Sequence, residues 1–143
     1  MRNKLIFLIM IPGLLAGCKD KKAEQFSALP FPDVTVPSVY QDRQEIAEFL
    51  AEHWWDGLTD PQRKYPCDSS LVSGVSRGDV EQKFANWVNI LDMMDMCAVE
   101  KAVVRLYDRV AACERKDTAS NVFETLSDLV VKYLYDPNSP LRN

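Results

Sequence analysis

The side chains able to do chemistry are few in this sequence. A single histidine, His53, stands three residues before Asp56, a spacing that lets an imidazole and a carboxylate meet on one helix face and act as base and orienter. A catalytic dyad would also need a nucleophile or a substrate pocket, and a metal site would need three or more converging ligands. The plainer reading is a half-buried imidazole stacked among Trp54 and Trp55, with Asp56 tying the turn at Gly57. No catalytic residue, metal site or cofactor is therefore assigned. Trp54 and Trp55, with Trp87, Tyr40 and Tyr65, suggest a second chemistry, since exposed rings are platforms for sugars. Neighbouring residues on a helix point about 100° apart, so the two tryptophans cannot enter a core equally. His53, Trp54, Trp55 and Asp56 are thus the candidate binding residues, set against the reading in which Trp55 packs beneath a loop at 60–78. Met93, Met94 and Met96 read as adaptable packing at a helix junction.

Cys67, Cys97 and Cys113 offer thiol chemistry. In an oxidising compartment three cysteines allow one disulfide and one free thiol. Cys97 and Cys113 are 16 residues apart on one expected helix, which separates them by about 24 Å, whereas bridged Cα atoms lie within about 7 Å. Helical periodicity puts Cys113 on the buried side and Cys97 on the opposite one. Cys97 also sits near a helix N-terminus, where the dipole favours the thiolate, and a bridge from Cys67 to Cys97 is geometrically open. Cys67 and Cys97 are the candidate thiols; the alternative is a set of inert thiols with no redox role.

Four helices are expected to position these groups. The first runs from Asp42 to Trp55, with Asp42 and Glu45 spaced as a capping box and Ile46, Phe49, Leu50, His53 and Trp54 on one apolar face. Residues 60–78 read as irregular, with a short helical turn near Ser69 to Val72; such a span covers the bundle or borders a binding surface. The second helix, Asp79 to Met93, buries Val80, Phe84, Trp87, Val88 and Leu91. Asp95 caps the third, Cys97 to Cys113, with Val99, Ala102, Val103, Leu106 and Val110 inward. The fourth, Ser120 to Tyr135, turns Phe123, Leu126, Val130 and Leu134 inward and stops before Asp136-Pro137. With no strand in view, the expectation is an all-α, small four-helix bundle-like domain over residues 40–143.

Ahead of it, Arg2 and Lys4 precede an apolar run from Leu5 to Leu15 and the small pair Ala16-Gly17, the three parts of an export signal. That run is too short to span a bilayer, which takes about 20 apolar residues. Leu14-Leu15-Ala16-Gly17-Cys18 resembles the lipobox of bacterial lipoproteins, which implies cleavage before Cys18 and a diacylglycerol on its sulfur. Residues 1–17 are then a lipoprotein signal peptide, and residues 18–39, broken by Pro30, Pro32 and Pro37, an extended tether reaching up to roughly 60 Å. The expected site is the cell envelope, the membrane being reached through lipid on Cys18. Cys18-Lys19-Asp20 resembles the start of a Bacteroidetes surface-export signal, which points to the outer membrane with either leaflet open. Losing Arg2 and Lys4 with the leader takes the net charge from -4 to -6, and no basic stripe interleaved with aromatics is present. Nucleic acid is excluded as a partner on that ground.

Tyr133 to Asn143, reading Y-L-Y-D-P-N-S-P-L-R-N, resembles a signature of domain-of-unknown-function family 5106, a helical module of Bacteroidetes envelope proteins. His53-Trp54-Trp55-Asp56 and Phe84-Ala85-Asn86-Trp87 are similar to two further segments of that family. The resemblance implies a module ahead of a thioredoxin-like or peroxiredoxin-like domain, but the sequence stops at Asn143 and contains no C-x-x-C pair. The expected function is that of a lipid-anchored accessory module that binds a thioredoxin-like domain in cis or in trans and is not itself an enzyme. The alternatives are a glycan or small-ligand binder using Trp54 and Trp55, and a thiol redox enzyme using Cys67 or Cys97. A missing following helix would leave apolar surface uncovered near Tyr133, Leu134 and Leu141.

Overall fold

The computed structural model describes residues 26–138; the leader, Cys18 and Leu141 lie outside the described residues. Helix α1 spans Arg43–His53. The Asp42 carboxylate caps it as expected, accepting from the N–H groups of Gln44 at 2.8 Å and Glu45 at 3.2 Å. Its inner face differs from the expected one. Ala47 and Ala51 are buried, while Ile46, Phe49 and Leu50 are only half-buried. Small inner residues let another helix approach closely, and the Trp87 indole N–H reaches the Ala51 carbonyl at 3.0 Å.

The all-α expectation fails in the next segment. Leu71–Val72 (β1) and Val75–Ser76 (β2) pair antiparallel, Leu71 opposite Ser76 and Val72 opposite Val75. Ser73 and Gly74 have φ of 46° and 80°, positive at both central positions as a type I′ hairpin turn requires. A Cβ on Gly74 would also lie 2.6 Å from the Tyr65 Cβ, so conformation and space both demand glycine there. Val72 and Val75 are fully buried. The described residues therefore fold as four helices plus a small antiparallel sheet set into the core, and the helical turn expected near Ser69 is the start of this hairpin.

Part of the expected extended tether over residues 18–39 is packed onto the domain. The Leu29 N–H donates to the Gly74 carbonyl at 2.7 Å and Leu29 lies parallel to Val75. Phe31 is buried edge-on against Trp55, with ring centroids 5.7 Å apart. Pro32 fits against Gly57, where a Cβ would come within 2.6 Å of the proline ring, and Asp33 pairs with Lys83. Apolar residues among the prolines, Leu29 and Phe31, are what draw this segment down.

Helix α2 spans Arg77–Leu91 and starts two residues before the expected Asp79, because Ser76 is its cap. Ser76 Oγ accepts from the Asp79 N–H at 3.1 Å and donates to Asp79 Oδ2 at 2.8 Å. Val80, Phe84, Trp87, Val88 and Leu91 form its buried stripe, matching the sequence pattern. Helix α3, Met96–Lys116, is capped by Asp95, which accepts from the Ala98 N–H at 2.9 Å, and buries Ala102, Leu106 and Val110. A 3-10 turn over Thr118–Ser120 and Asn121 at φ 55° lead into α4, Val122–Val130. Val122, Leu126, Leu129 and Val130 face the core and Phe123 faces out, so the expected stripe is rotated by one residue at its start. The helix continues as a π turn over Val131–Tyr135. Trp55, Phe84 and Trp87 pack mutually at the centre, with centroids 5.4–5.9 Å apart.

Candidate functional site

The structure brings His53 and Asp56 together and adds two residues the sequence reading passed over. His53 Nδ1 lies 2.8 Å from Asp56 Oδ2. Arg105 and Arg109 reach across from α3: Arg105 Nη2 stands 3.2 Å from Asp56 Oδ2, and Arg109 Nε 3.0 Å from Oδ1. Arg109 also donates to the Asp56 carbonyl at 3.0 Å and to Thr59 Oγ1 at 2.8 Å. Both carboxylate oxygens are thus engaged by cationic groups, and the cluster fastens the end of α1 to the middle of α3. The available signal was the i, i+4 pair of arginines flanking the apolar stripe of α3. Among the described residues no group of three or more His, Cys, Asp or Glu side chains is placed to hold a metal ion.

Trp54 and Trp55 do not present a two-ring platform. Trp55 is 2 % exposed, packed between Phe31, Phe84 and Trp87. Trp54 is half-buried, with its indole N–H on the Lys83 carbonyl at 3.1 Å. Phe31, from the 29–33 segment, packs edge-on over Trp55. Cys67 and Cys97 are exposed and Cys113 is half-buried, all three as free cysteines. Burial pushes the Cys113 thiol up from its ordinary pKa, partly offset by the Ser120 hydroxyl. Cys67 shares a cleft with Cys113 at the C-terminal end of α3, the end opposite Cys97, so the Cys67–Cys97 pairing left open by the sequence is not brought together.

An exposed apolar surface lies elsewhere, along the seam between α3 and the end of α4. A groove of ≈ 430 Å³ is lined by Met96, Val103, Val104, Tyr107, Leu134 and Tyr135, among others. Met96, Val104 and Tyr135 are 73 %, 53 % and 71 % exposed. Asp92 and Glu100 are its charged lining residues, and no Lys or Arg among the described residues lines it. Burial pushes the Tyr107 phenol up, and Tyr135 adds to the shift. The π turn sets this surface: Tyr133 leans back on Phe84, its hydroxyl on Glu81 at 3.1 Å, while Leu134 and Tyr135 border the groove. Lys132 and Tyr133 bonding to Glu81 hold that carboxyl below its usual range. Tyr133 and Leu134 are both half-buried against the core, and Leu134 also borders the groove.

The model of a family described as Domain of unknown function (DUF5106) matches residues 16–143. The chain belongs to that family. Among solved structures, the DUF5106 chain is similar to a thioredoxin-like protein from Bacteroides caccae ATCC 43185 solved at 1.90 Å. The likeness has 27 % identity, a TM-score of 0.56, and covers 82 % of this chain and 37 % of that one. The DUF5106 chain thus spans little more than a third of the length of the solved protein it matches. No curated protein matches it. A DUF5106 domain with a thioredoxin-like structural neighbour fits an accessory domain of a redoxin-like protein, and that neighbour, with the β1–β2 hairpin, departs from a plain all-α class.

Proposed function

We propose that this DUF5106 domain is a lipid-anchored accessory module of the bacterial cell envelope that binds a thioredoxin-like domain, in cis or in trans, through the α3–α4 groove. The observation that carries the reading is the likeness to part of a thioredoxin-like protein, spanning 82 % of this chain but 37 % of the other. On this reading the remainder of such a protein supplies the partner. The groove supports it physically. Contiguous exposed apolar side chains at Met96, Val104 and Tyr135 favour association by burial, and Asp92 and Glu100 suit a partner with basic residues around its contact patch.

The test is binding between the full chain and the part of the B. caccae protein outside the matched region, expressed separately. Val104→Asp, at an exposed position, and Leu134→Asp each weaken binding by about tenfold or more, the size of one hot-spot contact. Unchanged affinity in both variants, or no binding by the unaltered chain, rejects the reading.

The anchor rests on Leu14-Leu15-Ala16-Gly17-Cys18, where two acyl chains on one sulfur suffice for stable membrane attachment. No helix of the described residues is long and apolar enough to cross a membrane. In cells fed labelled palmitate, the chain takes up label and sediments with membranes, and Cys18→Ser loses both properties. Label retained by Cys18→Ser contradicts the anchor.

A further inference from the structure

The stretch between α1 and β1 is fastened across the C-terminal end of α3 on both sides of Cys67. The Tyr65 hydroxyl donates to Asp117 Oδ2 at 2.6 Å, and Asn121 Nδ2 donates to the Ser69 carbonyl at 3.3 Å. Asp117 closes α3, its N–H donating to the Cys113 carbonyl at 3.0 Å. Cys113 therefore lies one helical turn, about 6 Å along the axis, from the residue that holds Tyr65, and Tyr65 is two residues from Cys67. Accordingly Cys67 and Cys113 line a single cleft of ≈ 340 Å³, with Lys64 and Lys116 also on its walls. Cys67 is exposed and Cys113 half-buried, and both are free. Cys97, at the opposite end of α3, is about 24 Å from Cys113. Neither the Asp56 cluster nor the α3–α4 groove makes use of the Cys67 cleft.

We propose that Cys67 and Cys113 form a dithiol site that exchanges with disulfide substrates, Cys67 attacking and Cys113 resolving. The Cys67 thiolate attacks one sulfur of a disulfide RSSR. The S–S bond of the substrate breaks, a Cys67–SR bond forms, and the departing RS⁻ takes up the proton that Cys67 released. Cys113 then loses its proton to solvent and attacks the Cys67 sulfur, forming the Cys67–Cys113 bond and expelling the second thiolate, which is protonated in turn. Two electrons pass from the two protein thiols to the substrate, which leaves as two RSH. The division of roles follows exposure: the outer thiol meets the substrate and the inner one is screened from it. Burial raises the Cys113 thiol's pKa and so lowers its thiolate fraction, which disfavours it in the first attack. Arg63, Lys64 and Lys116 outnumber Asp60 and Asp117 on the cleft walls, a small positive excess that favours anionic disulfides of the glutathione type.

Oxidised glutathione is the probe. The full chain in mild detergent, carrying Cys97→Ser so that one exposed thiol is silent, is incubated with it, acid-quenched, alkylated and mapped by peptide mass. The expected product is a single peptide pair joined through Cys67 and Cys113. Adding Cys113→Ser arrests the reaction at a Cys67–glutathione adduct, and adding Cys67→Ser, a change on the exposed loop, leaves Cys113 alkylated. Glutathione adducts on both cysteines without a bridge, a persistent Cys67 adduct beside alkylated Cys113 in the Cys97→Ser chain, or both thiols alkylated after incubation would each overturn the assignment.

Discussion

Trp87→Ala lowers the stability of the domain by about 3–5 kcal/mol, the range for truncating a buried aromatic ring. Trp87 is fully buried, and its ring stands 5.9 Å from Trp55 and 5.4 Å from Phe84, edge-on to the first and steeply inclined to the second. Removing it forfeits burial and both ring contacts, and leaves a void beside Ala51, Trp55 and Phe84 that they cannot fill without moving. It also strips the Ala51 carbonyl of its 3.0 Å donor. Trp87→Phe separates these effects, since it retains most of the ring volume and loses the hydrogen bond, at about 1 kcal/mol for the bond plus a smaller packing loss. Urea unfolding followed by the fluorescence of Trp54 and Trp55 measures both. A loss under 1 kcal/mol for the alanine variant would contradict the central position assigned to this ring.

Asp56→Ala is the second large effect, a loss of about 2–3 kcal/mol. The carboxylate is the shared acceptor for His53, Arg105 and Arg109, and well-shielded hydrogen bonds to charged groups contribute a net of about 1.5–3 kcal/mol each. Because the Asp56 side chain is 32 % exposed, solvent screens the cluster and the contributions do not sum. What remains after truncation is worse than neutral: two guanidinium groups face each other across the vacated position. The double variant Asp56→Ala, Arg109→Ala accordingly costs less than the sum of the two single changes, and high salt narrows the difference between Asp56→Ala and the parent. Additive losses would show that Asp56 and Arg109 do not act as a unit.

Helix-forming patterns carried most of what could be read from the sequence. The stripe Val80, Phe84, Trp87, Val88, Leu91 is strong because every member is large and recurs at three- or four-residue steps, and all five are buried. The same rule misplaced the inner face of α1, since it weights Ile46 and Phe49 over Ala47 and Ala51 and cannot register that a close helix contact selects for small residues. The β1–β2 hairpin escaped notice because two-residue strands have no period to detect; the Ser73-Gly74 dipeptide was its one local mark. Pro30 and Pro32 were read as breakers, correctly for helix, but Leu29 and Phe31 between and beside them bind the core through contacts distant in sequence. His53 and Asp56 were legible as a pair from their spacing. Arg105 and Arg109 were not, because their relation to Asp56 exists only once α3 lies across α1. The Cys67–Cys113 neighbourhood depends in the same way on how the loop after α1 is pinned to Asp117 and Asn121.

Docking of the Leu29–Asp33 segment has a kinetic consequence. Leu29 pairs with Val75, and Asp33 with Lys83, partners about fifty residues further along the chain. Contacts of such separation close long loops, and the entropy lost in closing them is recovered only when the hairpin and α2 already stand. The part of this domain that is synthesised first is therefore among the last to find its place.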